Sequence, residues 1–178
     1  WDTPHFEKML YDNAHLAMLY LQAATVLRQP RYREIARGTL DFMADTLLDA
    51  SGGFYSSTSA VDEAGREGAT YLWEPEELKR RLSPEAYAAV RRVWRLDIAR
   101  SFTEGYLPAE FNTPTAAERQ LLSEAAAVLR PVRRARSLPR DDKMNAGLNG
   151  LALSAFSLAS QLDPAYRKRA DRLQHSAL

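Results

Sequence analysis

Between His5 and Arg28 the apolar residues Phe6, Met9, Leu10, Ala17, Tyr20, Leu21, Ala24 and Leu27 recur at a helical period, and Tyr11, His15, Met18 and Gln22 occupy a second face. A helix with non-solvent residues on nearly every side is expected to be covered on both. Thr3 suits the N-cap of that helix, and Pro4 suits its first turn. Over 31–48 the pattern narrows to one stripe, Tyr32, Ile35, Ala36, Thr39, Leu40, Met43 and Leu47, with Arg33, Glu34, Arg37, Asp41 and Asp45 opposite. This second helix is expected to be half exposed. The short Gln29-Pro30 turn between the two predicts an antiparallel helical hairpin over 4–48.

The helical pattern stops at Gly52-Gly53. Phe54 to Thr58 and Thr70 to Trp73 read as two short strands around a polar loop, a small β-hairpin. Pro75 opens a short helix to about Leu82, and Ser83-Pro84-Glu85 supplies an N-cap and a proline start for another to about Leu96. Gly and Pro content marks 103–113 as a loop. A helix from Pro114 or Thr115 to about Leu129 then turns basic at Arg130, Arg133, Arg134 and Arg136, charges that suit a helix C-terminus. A last hairpin is expected over 140–178. Its first helix, Met144 to Gln161, is apolar at Leu148, Leu151, Ala152, Ala155, Leu158 and Ala159, and its charged second helix follows from Pro164 with Asp163 as N-cap.

The 178 residues are 46% apolar and carry a net charge of +1, values of a globular chain without the basic field of a nucleic-acid binder. With no cysteine, disulfides, thiol nucleophiles and cysteine-based zinc sites are excluded. His5, His15 and His175 lack the spacing of a metal pair, and no phosphate loop or nucleophile elbow occurs, so neither metal nor cofactor is expected. No apolar run is long enough to span a membrane, and the expected location is cytoplasmic. The start at Trp1 and the charged, uncapped end read as an excised piece of a longer protein. Such a piece is expected to self-associate through uncovered apolar flanks.

Four blocks in order extend this reading. Pro4 to Ala14, Pro-His-Phe-Glu-Lys-Met-Leu-Tyr-Asp-Asn-Ala, resembles the signature of the YyaL-like family, also called the spermatogenesis-associated protein 20 family. Gly52 to Ser56 resembles that family's G-G-F-Y-S, and Glu67-Gly68 with Tyr71-Leu72-Trp73 and Pro75-Glu76-Glu77 resembles its E-G-x-x-Y-x-W-x-P-E-E. Arg140 to Lys143 and Asn149-Gly150-Leu151 resemble its R-D-D-K-x-L-T-x-W-N-G-L. The likeness runs from Pro4 to about Leu162 and is vague over 83–139. It departs at Ala60, where the family's acidic loop begins with Asp, and at Leu148, where a Trp precedes Asn-Gly. The resemblance implies a mostly α fold: an incomplete (α/α) six-hairpin toroid, glycosidase-like, with a small β-hairpin insert. The hairpins 4–48 and 140–178 would flank an insert and linking helices over 49–139. In full-length members a thioredoxin-like domain precedes the toroid, and it would be a partner of this piece.

Six-hairpin toroids commonly act on sugars, so the resemblance implies a sugar ligand and glycosidase- or epimerase-like chemistry. On an ideal helix His5, Lys8 and Asp12 share one broad face, with Glu7 and Tyr11 a turn apart beside them. The competing explanation is ion-pair lacing to a neighbouring helix, although Lys8 with Asp12 is the poorer orientation for an i,i+4 pair. Asp141, Asp142 and Lys143 precede the last apolar helix, either as N-caps or as catalysts, and Asn149 follows. The loop acids Asp62, Glu63 and Glu67 can reach over a pocket, and Tyr71 and Trp73 offer flat faces for sugar rings, unless Trp73 is simply core. Glycoside chemistry needs two carboxyl groups about 5 to 10 Å apart. Asp12 and Asp142 are the first choice for catalysis, with His5 and Glu7 beside them. Lys8, Tyr11, Glu67, Trp73, Lys143 and Asn149 are the expected substrate contacts. A catalytically inactive scaffold, suggested by Ala60 and Leu148, and an interaction module serving the thioredoxin-like domain are the alternatives.

Overall fold

The structure is a computed structural model that describes residues 4–98, 102–163 and 166–167. It is mostly helical, and the chain divides into two compact units, 7–59 with 140–178 and 1–6 with 60–139.

The first of these units is built on α1 (Leu10–Val26), which packs against both α2 (Pro30–Phe42) and α6 (Ala146–Leu162). Alanines let the helices approach closely: Ala14 and Ala17 on α1, Ala36 on α2, and Ala152, Ala155 and Ala159 on α6 are all buried. Leu10, Leu21, Leu40, Met43, Leu47 and Phe54 fill the space around them, and Phe54 stacks on Phe156 at 5.6 Å between ring centroids. A single π turn, Met43–Leu47, extends α2 to the length that its apolar stripe predicts. The hairpin of α1 and α2 is as the sequence pattern anticipates.

The start of α1 is not. Lys8–Met9 forms strand β1, Ser57–Thr58 strand β2 and Arg140–Asp141 strand β3, an antiparallel sheet in the order β1-β2-β3. Lys8 and Arg140 both face Thr58, and Met9 and Asp141 both face Ser57. With the Lys8–Met9 backbone paired to β2, and the Leu10 amide donating to the Ser56 carbonyl at 2.8 Å, the helix begins only at Leu10. Sheet hydrogen bonds outweigh the helical period there. Thr3, the expected N-cap, lies outside the described residues, and Met9 holds the cap position in an extended conformation.

One further expectation changes. The face of α1 opposite the core is open: Leu16, Leu19 and Val26 are 46%, 58% and 78% exposed, so the helix is not covered on both sides. Asp163 directs its carboxylate to the Arg37 guanidinium. The helix expected from Pro164 falls outside the described residues, apart from Tyr166 and Arg167.

The hydroxyl of Thr58 is buried without a hydrogen-bond partner. Leaving such a group unsatisfied costs about 1 to 3 kcal/mol. Thr58→Val, which keeps the branched shape on a strand, is therefore expected to leave the denaturation midpoint unchanged or raise it. A loss of more than about 1 kcal/mol would reveal a hydrogen bond from that hydroxyl.

The second unit contains α3 (Pro75–Arg81), α4 (Pro84–Val93) and α5 (Ala116–Arg134), with α4 packed on both others. Its core joins Trp73, Leu78, Leu82, Ala86, Val90, Leu96, Ala125 and Leu129. Ser83 caps α4 by accepting from the Ala86 amide, as its position before Pro84 suggests. Thr115 and Glu118 form a reciprocal capping box on α5. The hairpin expected between 54–58 and 70–73 does not form. Gly68, at φ +73°, reverses the chain, and its carbonyl accepts from the Tyr71 and Leu72 amides in a turn. Trp73 pairs instead with Tyr106 through two backbone bonds of 2.9 and 3.0 Å. Gly105 makes that approach possible, since a Cβ there would lie 2.8 Å from the Trp73 carbonyl oxygen.

The Arg92 guanidinium on α4 grips Glu118 and holds its carboxyl down at about 2, assisted by the Thr115 amide. A depressed folded-state pKa contributes stability above the unfolded value near 4.5 and loses it as pH falls towards 2. Denaturation midpoints measured across that window are expected to fall more steeply in the parent chain than in Glu118→Gln. Parallel curves would contradict the pair's contribution.

Candidate functional site

The central strand β2 holds β1 on one side and β3 on the other. At about 4.8 Å between neighbours, the outer backbones run about 10 Å apart. Segments separated by some 130 residues of sequence are thus joined in one small sheet: Lys8–Met9 of the first motif block and Arg140–Asp141 of the last.

From β1 the chain enters α1, which carries Tyr11 and Asp12 in its first turn, both exposed. Lys8, on the strand, is half-buried, as is Glu7 just before it. From β3 the chain runs through Asp142, whose carboxylate accepts from Arg140 Nε at 2.6 Å. The same guanidinium lies 3.9 Å from the Tyr55 ring centroid. Asp141 accepts from the Lys143 amide at 3.2 Å, and Lys143 Nζ stands 3.6 Å from its other oxygen. Tyr55 donates its hydroxyl to Asp49, which also accepts from the amide and hydroxyl of Ser51. These donors hold Asp49 well below the usual carboxylate range, and the bond to it raises the Tyr55 phenol. Tyr55 is therefore a poor base at neutral pH and acts as a rest for Arg140.

Asn149 is a clamp. Its Oδ1 accepts from the Phe54 amide at 2.6 Å, and its Nδ2 donates to the carbonyls of Phe54 and Asn145, both at 3.0 Å. These three hydrogen bonds give the Asn149 side chain a structural role at the Phe54 backbone. The shared helical face of His5, Lys8 and Asp12 is corrected, because Pro4–Phe6 is not helical and Lys8 is on a strand. His5 belongs to the other compact unit.

That unit contains a cavity of about 730 Å³. Asp62, Glu63, Glu74, Glu77 and Glu104 line it, with Arg66, Arg136, Thr70, Thr103 and Ser137 and an apolar patch of Ala64, Ala69 and Leu72. Arg66 donates from Nε at 2.9 Å and Nη2 at 2.7 Å to one carboxylate oxygen of Asp62. Arg136 is the main support of the wall: it donates to the carbonyls of Ala69, Thr70 and Leu72 at 2.7 to 3.2 Å and to Glu77 at 2.9 Å. Its guanidinium carbon also lies 4.1 Å from the Trp73 ring centroid. Trp73 is 3% exposed, so it is core and not the open sugar platform expected of it. The loop acids divide: Asp62 and Glu63 line the cavity, and Glu67, bridged to Val61, does not. Glu74, Glu77, Glu104 and Arg136 escape sequence reasoning because their convergence depends on contacts 30 to 60 residues apart. The one available signal was the basic run Arg130, Arg133, Arg134 and Arg136 at and just past the end of α5.

No family model matches the chain. It is 31% identical to spermatogenesis-associated protein 20 of Homo sapiens over 193 aligned residues, which cover 89% of this chain and 25% of that protein. The Mus musculus protein of that name is 42% identical over 90 residues, 48% of this chain and 11% of the relative. The chain is homologous to part of spermatogenesis-associated protein 20. It spans a quarter or less of the length of these relatives. The homology agrees with the resemblance carried by the four motif blocks. Among solved structures, a cellobiose 2-epimerase from Spirochaeta thermophila DSM 6192 aligns at a TM-score of 0.31 and 17% identity, over 96% of this chain and 43% of that one. Among the described residues, no helix is long and apolar enough to cross a membrane. Nor does any group of three or more His, Asp or Glu among them have the arrangement to hold a metal ion.

Proposed function

We propose that the chain is part of a carbohydrate-active or carbohydrate-binding (α/α) toroid domain, in which Asp12 and Asp142 share acid–base chemistry on a sugar. The observation that supports this reading is the three-stranded sheet, whose outer strands Lys8–Met9 and Arg140–Asp141, about 10 Å apart, lead into the segments that carry Asp12 and Asp142. In this reading one carboxyl protonates the leaving oxygen and the other receives the charge or activates water. Arg140 orients Asp142, and Lys8, Tyr11 and Lys143 are positioned along the two segments to bind hydroxyl groups. Glu7 remains a proposed participant. The proposal extends to a cytoplasmic location and to a thioredoxin-like partner domain in the full-length protein, both from the family resemblance.

An inactive scaffold is favoured by one observation. Asn149, within the last motif block, makes three hydrogen bonds to the backbone of Phe54 and Asn145, a structural role. Asp12→Asn and Asp142→Asn in the full-length protein separate the readings. Each is expected to lower turnover of a sugar substrate by a factor of about 100 or more with the melting temperature unchanged. Undiminished activity per folded molecule in both variants would overturn the catalytic assignment.

A further inference from the structure

Thr58 and Arg140 occupy one row of the three-stranded sheet. They are directly opposed on β2 and β3, with backbones about 4.8 Å apart, and opposed residues of an antiparallel pair project to the same face. The row holds two donors that the fold leaves unused. The first is the Thr58 hydroxyl: the residue is 2% exposed, and its oxygen is buried with no hydrogen-bond partner. A strand has no need of a hydroxyl there, because valine offers the same branched shape without a polar group to bury. The second is the guanidinium of Arg140. Its Nε donates to Asp142 at 2.6 Å and its carbon lies 3.9 Å from the Tyr55 ring centroid, while Tyr55 is itself tied to Asp49. Among the described residues neither terminal nitrogen of Arg140 has a hydrogen-bond partner, and the side chain is 39% exposed. Those two nitrogens carry four of the five N–H donors of a guanidinium.

The two donors call for the same kind of acceptor. A guanidinium held by one nitrogen and one ring presents its remaining fork to a group with two oxygens and a negative charge. A buried hydroxyl without a partner gains most from an oxygen that accepts its proton in a place water does not reach. Lys8, opposite Thr58 on β1, has an interaction of its own and is not counted among the donors. We infer that the Thr58–Arg140 row binds an oxyanion, the carboxylate or phosphate group of a small ligand, with the terminal nitrogens of Arg140 holding its oxygens and the Thr58 hydroxyl donating to one of them. Because that hydroxyl is closed to solvent in the free protein, the ligand oxygen reaches it as the long side chains flanking it in the row move aside. The site does not depend on Asp12 and Asp142 acting on a sugar.

Inorganic phosphate and glucuronate, titrated separately into the chain at constant ionic strength, distinguish the two sources of the oxyanion. Amide and arginine Nε NMR is expected to show saturable shifts at Thr58 and at Arg140 Nε with at least one of them. Thr58→Val, whose stability is expected to match or exceed the parent's, should weaken that binding roughly tenfold, the order of one hydrogen bond to a charged group. Arg140→Gln should weaken it at least as much, since it removes the charge and the fork together. Absence of saturable shifts at both residues with either anion would overturn the inference. So would unchanged affinity in a Thr58→Val variant that folds like the parent, or shifts that chloride reproduces at the same ionic strength, which would mark a response to screening alone.

Discussion

Arg136→Ala is expected to destabilise the chain by about 2 to 4 kcal/mol, the largest single effect in the unit that contains the cavity. The side chain is 22% exposed and sits where three carbonyls, one carboxylate and an indole ring converge. Truncation would strip the carbonyls of Ala69, Thr70 and Leu72 of this donor and uncover Trp73. Glu77 would keep Arg81 at 3.0 Å, so the loss is dominated by the backbone acceptors and the ring contact. Arg136→Lys is expected to recover less than half, because an ammonium lacks the planar fork that spans carbonyls and carboxylate while lying flat on an aromatic face. Urea denaturation of the three proteins reads the difference. Near-wild-type stability in Arg136→Ala would show that the cavity wall stands without this residue.

Asn149→Ala should cost a similar amount, about 2 to 4 kcal/mol, in the other unit. Phe54 is 1% exposed, and both its amide and its carbonyl are bonded to the Asn149 side chain. Truncation removes those partners from the amide and carbonyl of a buried residue beside the Phe54–Phe156 stack. Asn149→Asp is the informative companion. It loses the Nδ2 donor and sets a carboxylate against the Phe54 carbonyl, so it should be no better than alanine. A substrate-binding Asn149 would behave differently, with stability retained and ligand affinity lost in both variants. Melting temperature and affinity measured together on each variant distinguish the two roles.

The helices were legible from periodicity because each of α2, α4 and α5 buries a single stripe, and the cap at Ser83 was legible because its side-chain chemistry is local. The β structure was not. Phe54 to Thr58 and Thr70 to Trp73 have strand-like composition, yet the partners of Ser57 and Thr58 lie near residues 8 and 140, and Trp73 pairs with Tyr106. Two-residue strands carry no alternation to read, and their partners are set by tertiary contact. The same cause hid the true start of α1. A helical period at Phe6, Met9 and Leu10 was real, but the Lys8–Met9 backbone is bonded to β2. For the candidate site, the motif blocks identified the segments that meet in the sheet. They did not reveal that Asn149 is consumed by Phe54, that Trp73 is buried beneath Arg136, or that Glu74, Glu77 and Glu104 share a cavity.

The most direct measurement is amide NMR of the chain titrated with neutral mono- and disaccharides. Sugar chemistry at the β1–β3 end of the sheet predicts saturable shifts concentrated at Lys8, Tyr11, Asp12, Asp142 and Lys143, and their loss in Asp12→Asn/Asp142→Asn with the rest of the spectrum preserved. Saturable shifts confined to other residues, or none at millimolar sugar in a well-dispersed spectrum, would contradict the assignment of these two carboxylates to a carbohydrate site.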